Sequence, residues 1–254
     1  MTTLSEAERL EPDADWYERW FGDEYLHLYP HRDQAEATRA VELVLGHLAP
    51  GVLGRALDLA CGAGRHLADM RARGVQAFGL DLSEALLRLA RAEGLPVVKG
   101  DMRELPFADG SLSLVTSFFT SFGYFDDPLD DEAVVEAVRR VLRPSGTFAL
   151  DYLNAARVRA ELSPHDEREL RGKHVVETRT LEENGHRVVK RIEIRDAAGG
   201  APRIYQERVR LYDAEELLAL LARHGLGRAE CYGDYGGAPL APDSPRVIVI
   251  GRAL

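Results

Sequence analysis

The sequence predicts an α/β fold: a doubly wound sheet with an antiparallel β meander inserted late in the chain. Three observations carry this reading. A short apolar run, Ala56-Leu57-Asp58-Leu59, ends in the glycine loop Ala60-Cys61-Gly62-Ala63-Gly64 and passes directly into a helical register at Arg65-His66-Leu67. Strand, loop and helix in that order make a nucleotide cradle of the doubly wound kind. Apolar runs then alternate with helical stretches as far as residue 153, as βαβ units do. Between residues 154 and 212 the pattern changes to β-type runs around Asn184-Gly185, a hairpin signal.

Composition narrows the class. The chain has 254 residues, a net charge of −10 and 45% hydrophobic residues. That length suits one α/β domain with an elaboration, large enough to bury a sizeable core. An acidic balance argues against a nucleic-acid partner, which is met with basic stripes. No apolar run approaches the ~18 residues of a membrane span. The acidic, polar stretch 1–15 lacks the basic start and apolar core of a secretory signal. Cys61 and Cys231 form no CxxC pair, and the eight histidines form no ligand cluster. A cytoplasmic setting and no metal are therefore expected.

The elements follow in order. Residues 1–15 read as a solvated tail. Trp16 to Arg32 (WYERWFGDEYLHLYPHR) is dense in aromatics and is expected to form a flap over the cradle. Asp33 reads as the cap of a helix running toward His47. After the glycine loop a helix through Arg71 stops at Gly74. Val75 to Leu82 is a buried strand ending in Asp81, with Ser83 capping the next helix. One βαβ step separates Asp58 from Asp81, and an acid at that place accepts hydrogen bonds from ribose hydroxyls. Pro96 to Lys99 is a third strand, followed by Gly100-Asp101-Met102. Leu112 to Phe119 is the fourth strand, and Thr147 to Leu153 the fifth, after a helix over Asp131 to Leu142. His174 to Thr180, Val188 to Arg195 and Arg203 to Leu211 make the meander. A helix from Asp213, with Glu216 completing a capping box, stops at Gly225. Strands at Arg228 to Tyr232 and Arg246 to Ile250 flank a loop rich in glycine and proline. The segments group as 1–32 (tail and flap), 33–154 with 213–254 (the main sheet), and 155–212 (the insertion).

The loop also limits the ligand. A dinucleotide fingerprint needs a third glycine where Leu67 stands, so the cradle suits a cofactor without phosphate and disfavours a nicotinamide oxidoreductase. On Asp58-x-Ala60-x-Gly62-x-Gly64, Asp81, Gly100-Asp101 and Leu142-Arg143-Pro144-x-Gly146, the chain resembles the class I S-adenosylmethionine-dependent methyltransferases. The resemblance covers roughly Arg55 to Asn154, with Ala60 where the family motif has its first glycine. It implies a Rossmann-like sheet, mostly parallel with an antiparallel last strand, and S-adenosyl-L-methionine as cofactor. It implies cofactor contacts from Asp58, Ala60, Gly62, Gly64, Arg65, Asp81, Leu82, Asp101, Met102 and Phe118, joined by Tyr25 and Arg32 of the flap. Asp101 is expected at the adenine amino group. Arg32, with Arg65 as its rival, is expected at the methionine carboxylate, and His66 beside that same end.

The segment Phe118 to Phe125 (FFTSFGYF) fills the place after the fourth strand, which the resemblance implies faces the transferring methyl. There Tyr124 fills the catalytic position, at which the similar amino-sugar enzymes can carry histidine. A phenol, with an ordinary pKa near 10, holds an acceptor by hydrogen bond and is a poor base at neutral pH. Tyr29, His31, Ser121 and Asn154 are expected to touch the acceptor, and 155–212 to cover its pocket. The implied activity is methyl transfer by in-line displacement to an amine or hydroxyl of a small metabolite. It would be carried out by a monomer or homodimer without nucleic-acid or membrane partners. The Gly-Asp…Leu-Pro-Phe phrase is also similar to quinone and lipid-ring C-methyltransferases. A protein that binds S-adenosylmethionine without turnover would use the same fold.

Overall fold

The computed structural model describes residues 15–29, 34–48 and 54–254. Its main sheet has seven strands: β1 (Arg55–Leu59), β2 (Gln76–Asp81), β3 (Val97–Lys99), β4 (Leu112–Ser117), β5 (Leu142–Leu153), β10 (Leu226–Tyr232) and β11 (Arg246–Ala253). Their order is β10-β11-β5-β4-β1-β2-β3. The five strands from β3 to β5 pair in parallel, whereas β11 runs antiparallel to both β5 and β10.

Strands of a parallel sheet are covered on both faces, so all six residues of β4 are buried, serine and threonine included. Two of these hydroxyls bond within the sheet: Ser113 donates to the Arg55 carbonyl at 3.0 Å and Thr116 to that of Leu57 at 3.3 Å. One face packs on α6 (Pro128–Val141) and α8 (Ala214–Arg223), the other on α3 (Gln34–Gly46) and α4 (Arg65–Ala72). Two of the caps read from sequence are formed, and the third, Asp33, lies outside the described residues. Ser83 accepts the Leu86 N–H at the start of α5 (Glu84–Ala92), and Glu216 reaches back to the Asp213 N–H at 2.8 Å. Strand order reverses between β1 and β4, and a crevice opens at their C-terminal ends, where such sheets hold ligands.

A second, antiparallel sheet has four strands: β6 (His165–Leu170), β7 (Lys173–Glu182), β8 (Arg187–Asp196) and β9 (Arg203–Arg210). The hairpin turns at Asn184, with φ 55°, as its Asn-Gly pair foretold. β6 is an addition to the three-strand expectation. Its sequence, HDEREL, has no apolar alternation to reveal it. It is held by main-chain pairing and charge, with Arg168 2.8 Å from Glu177 and His174 2.6 Å from Glu167. A short helix, α7 (Ala155–Glu161), joins the two sheets.

The inner face of this second sheet, with Val175, Ile192 and Ile194, is covered by Trp16, Trp20, Tyr25 and Leu28 from α1 (Trp16–Trp20) and α2 (Asp23–Leu28). Polar anchors ring the contact. Trp20 Nε1 donates to Glu207 at 2.5 Å, Arg203 Nε to Glu24 at 2.7 Å, and Lys173 also pairs with Glu24. Burial opposes the Glu24 charge, yet the hydrogen bonds from Arg203 and Lys173 hold its carboxyl below the usual range. Among the described residues no helix is long and apolar enough to cross a membrane.

Candidate active site

The glycine loop takes its shape from backbone conformations that side chains resist. Ala60, Gly62 and Gly64 have φ of 55°, 56° and 88°. At φ 88° Gly64 holds a conformation that other residues rarely adopt, and a Cβ there would lie 2.4 Å from Leu95 Cδ1 and push that side chain aside. The loop is pinned from the next strand: Asp81 Oδ2 accepts the Gly62 N–H at 2.8 Å while Oδ1 accepts that of Ser83 at 2.7 Å. Burial raises the Asp81 carboxyl above its ordinary pKa. Its backbone donors, the N–H groups of Gly62, Leu82 and Ser83, leave the carboxylate lone-pair capacity for a ligand.

Asp81 faces a cavity of about 670 Å³, within the usual range for small-molecule sites. One wall is Ala60 to Ala63 with Asp81, Leu82, Asp101 and Met102, all at strand ends. The opposite wall is Tyr17 of α1, Phe21 just after it, Tyr25 of α2 and Tyr29 just after that, spaced four apart in sequence. Phe118, Phe119, Ser121, Tyr124 and Phe125 supply the third side. Tyr124 packs against Trp16 at 4.8 Å and stacks on Phe21 at 5.8 Å. The aromatic wall is fastened at both ends: Ser83 Oγ donates to the Phe21 carbonyl at 2.5 Å, and Tyr29 donates to Glu177 at 3.1 Å.

The charges in this space are committed. Arg103 forks onto Asp101 at 2.6 and 3.1 Å, reaches Asp130 at 3.2 Å and lies over the Phe125 ring. Burial works against the Asp101 charge, but the Arg103 bonds keep its carboxyl below the usual range. Arg65 is 2.8 Å from Glu36 and lies over Phe119. His66 stacks on Phe118 at 4.3 Å, and burial, with Arg65 and Arg246 nearby, pushes its pKa well below normal, so the imidazole is neutral.

These residues fit S-adenosylmethionine. An acid with unused lone pairs stands at the β2 end, and a loop without side chains lets a ligand approach the backbone. The only lysine or arginine among the described cavity residues is Arg65, already paired with Glu36, so nothing there answers a pyrophosphate. A family model described as a methyltransferase domain matches residues 56–146, from the cradle to the turn within β5. Over these residues the chain is similar to the class I S-adenosylmethionine-dependent methyltransferases.

Among curated relatives, the putative methyltransferase YqeM of Bacillus subtilis is 30% identical over 149 residues, 57% of this chain and 58% of that protein. The demethylmenaquinone methyltransferase of Mycobacterium sp. (strain KMS) is 37% identical over 96 residues, 38% of this chain and 40% of that protein. The matches thus span 58% and 40% of these relatives' lengths. Among solved structures, the sugar N-methyltransferase KedS8 from Streptoalloteichus sp ATCC 53650 has a TM-score of 0.68 at 23% identity, covering 100% of this chain and 98% of that one. That likeness is one of fold.

The cavity brings together Ala60, Gly62, Arg65, Asp81, Leu82, Asp101, Met102, Phe118, Tyr25, Tyr29, Ser121 and Tyr124 of the sequence-derived set. Three members lie elsewhere. Asp58 is 1% exposed beneath the loop, where it accepts the Thr116 hydroxyl at 3.1 Å and the Leu67 N–H. Gly64 shapes the turn without lining the cavity. Asn154 caps α7, and its Nδ2 donates to the carbonyls of Ala241, Pro242 and Ser244 at 2.9–3.1 Å, which leaves nothing for an acceptor. His31 and Arg32 fall outside the described residues.

The insertion 155–212 gives no residue to the described wall; it seats the helices that do. Sequence reasoning missed Tyr17 and Phe21, although their four-residue spacing with Tyr25 and Tyr29 was a signal that could have found them. It also missed Asp151, Tyr235 and Arg246, which meet behind the turn after β4. Among the described residues no group of three or more His, Cys, Asp or Glu could hold a metal.

Proposed function

We propose that the protein transfers the methyl group of S-adenosylmethionine to an amine or hydroxyl of a small metabolite. The observation that carries this is one cavity with the cofactor cradle on one side and an aromatic wall on the other. When bound, S-adenosylmethionine supplies a methyl already activated on a sulfonium. The chain therefore has to bind, align and exclude water, and positioning does most of the work.

In this reading Asp81 accepts the ribose hydroxyls, and Asp101 takes the adenine amino group in exchange for part of its fork from Arg103. The neutral His66 adds no charge to repel the sulfonium. Tyr17, Phe21 and Tyr25 close the cavity against solvent, and the Tyr124 phenol holds the acceptor by hydrogen bond. A phenol is a poor base at neutral pH, so an amine acceptor enters as the free base. Support for an amine acceptor comes from KedS8, a sugar N-methyltransferase whose fold matches this chain along its whole length. The second sheet is assigned to the acceptor side through α1 and α2.

The test is incubation of the enzyme with a metabolite extract and cofactor deuterated at the methyl, followed by mass spectrometry. Label is expected on nitrogen or oxygen of small metabolites. Label on a quinone ring carbon would overturn the acceptor class. Tight binding of S-adenosylhomocysteine with no label on any acceptor would leave a binding protein.

A further inference from the structure

The turn after β4 is held in a conformation its own residues disfavour. Phe119 and Thr120 have φ of 62° and 61°. For bulky and β-branched side chains that region is an outlier, and it persists only where the surroundings over-determine it. Here the surroundings converge on Asp151 of β5, which is 1% exposed. Its Oδ2 accepts the Phe119 N–H at 2.8 Å and the Tyr235 hydroxyl at 2.6 Å. Its Oδ1 accepts Arg246 Nε at 2.7 Å, and its main-chain carbonyl accepts the Thr120 N–H at 3.0 Å. Arg246 also donates to Thr120 Oγ1 at 2.9 Å and lies over the Phe119 ring. Asp151, Tyr235 and Arg246 do not line the cavity, whereas Phe118, Phe119, Ser121 and Tyr124 do.

We propose that Asp151 and Tyr235 are positioning residues that lock the Phe119–Thr120 turn in the left-handed region and so keep Phe118, Phe119 and Tyr124 in the cavity wall. The proposal rests on reading that cavity as the cofactor site. Tyr235 acts from the loop between β10 and β11, which Asn154 ties down at Ala241, Pro242 and Ser244. When the turn opens, the wall is lost. Apparent ligand affinity then falls in proportion to the fraction of molecules with the turn formed.

The test uses Tyr235→Phe, which keeps the ring and removes the hydroxyl. Losing a hydrogen bond to a buried carboxylate should speed amide exchange of residues 118–121 about ten-fold and weaken S-adenosylhomocysteine binding by about the same factor. Adding Thr120→Asn should recover most of both, because asparagine tolerates the left-handed region and keeps an acceptor for Arg246. Asp151→Asn, read in the same way, should open the turn further. Unchanged exchange and affinity in folded Tyr235→Phe would overturn the proposal. So would faster exchange confined to 233–245, or a Thr120→Asn variant that restores neither quantity. Wild-type protein that fails to bind S-adenosylhomocysteine, while the turn opens as expected, would overturn the cofactor reading and not the positioning.

Discussion

Asp58 carries a carboxylate under the glycine loop with one oxygen bonded and the other without a partner. Burial pushes its pKa up to about 7, with the Thr116 hydroxyl and Arg65 opposing the shift. The sign of the linkage follows. A carboxyl whose folded pKa lies above its unfolded value favours folding fully below the unfolded value, near 4, and that contribution is lost as pH rises through about 7. Asp58→Asn removes the titration and keeps a polar side chain of the same shape. Relative to wild type, the variant should therefore gain stability between about pH 4 and 7 and hold that gain at higher pH, by up to a few kcal/mol. Urea unfolding at pH 5 and pH 8 checks this; an equal difference at both values would mean that Asp58 does not titrate there. Ionised Asp58 therefore costs the fold stability at neutral pH, and its side chain lies beneath the loop without lining the cavity.

At the scale of elements, α1 is five residues long and cannot stand without its docking face. Trp20 supplies that face, 1% exposed, at 5.6 Å from the Tyr25 ring and 4.8 Å from that of Tyr205. Truncating a buried tryptophan typically costs about 3–5 kcal/mol. Trp20→Ala should release α1 and α2, giving rapid proteolysis within 16–29 and at least roughly ten-fold weaker binding of S-adenosylhomocysteine. Unaltered affinity would separate the aromatic wall from ligand binding.

The same contrast explains what the sequence revealed. The placement of Asp81 and Asp101 beside the cavity was legible because strand, acid and loop are neighbours in the chain, and their spacing is local. The hairpin at Asn184-Gly185 was legible for the same reason. β6 was not, since its charged residues pair by main chain and ion pair and leave no apolar rhythm. Nor was the cluster of Asp151, Tyr235 and Arg246, which only the antiparallel pairing of β11 with β5 and the loop before it bring together. Asn154 was misread for a related reason: a polar residue at a strand end looks the same whether it caps a helix or meets a ligand.

For the whole molecule, the cavity walls come from both ends of the main sheet's cleft and from helices seated on the second sheet. Ligand binding should therefore stabilise the fold as one unit. At a hundred times its dissociation constant, S-adenosylhomocysteine should add about 2.7 kcal/mol, a rise in Tm of roughly 5–10 °C for a chain of this size. Asp81→Ala, losing about ten-fold in affinity, should show about half that rise at the same ligand concentration. Scanning calorimetry decides, and equal shifts for the two proteins would remove Asp81 from the site. The anchoring of α1 and α2 also has a consequence in time. Trp20 meets Glu207 across 187 residues, and Lys173 meets Glu24 across 149. During synthesis at about 5–20 residues per second, residues 16–29 wait on the order of ten seconds or more for the strands that seat them. The wall that shuts the cavity is made early by the ribosome and docks late, after the parallel strands around the cradle have emerged.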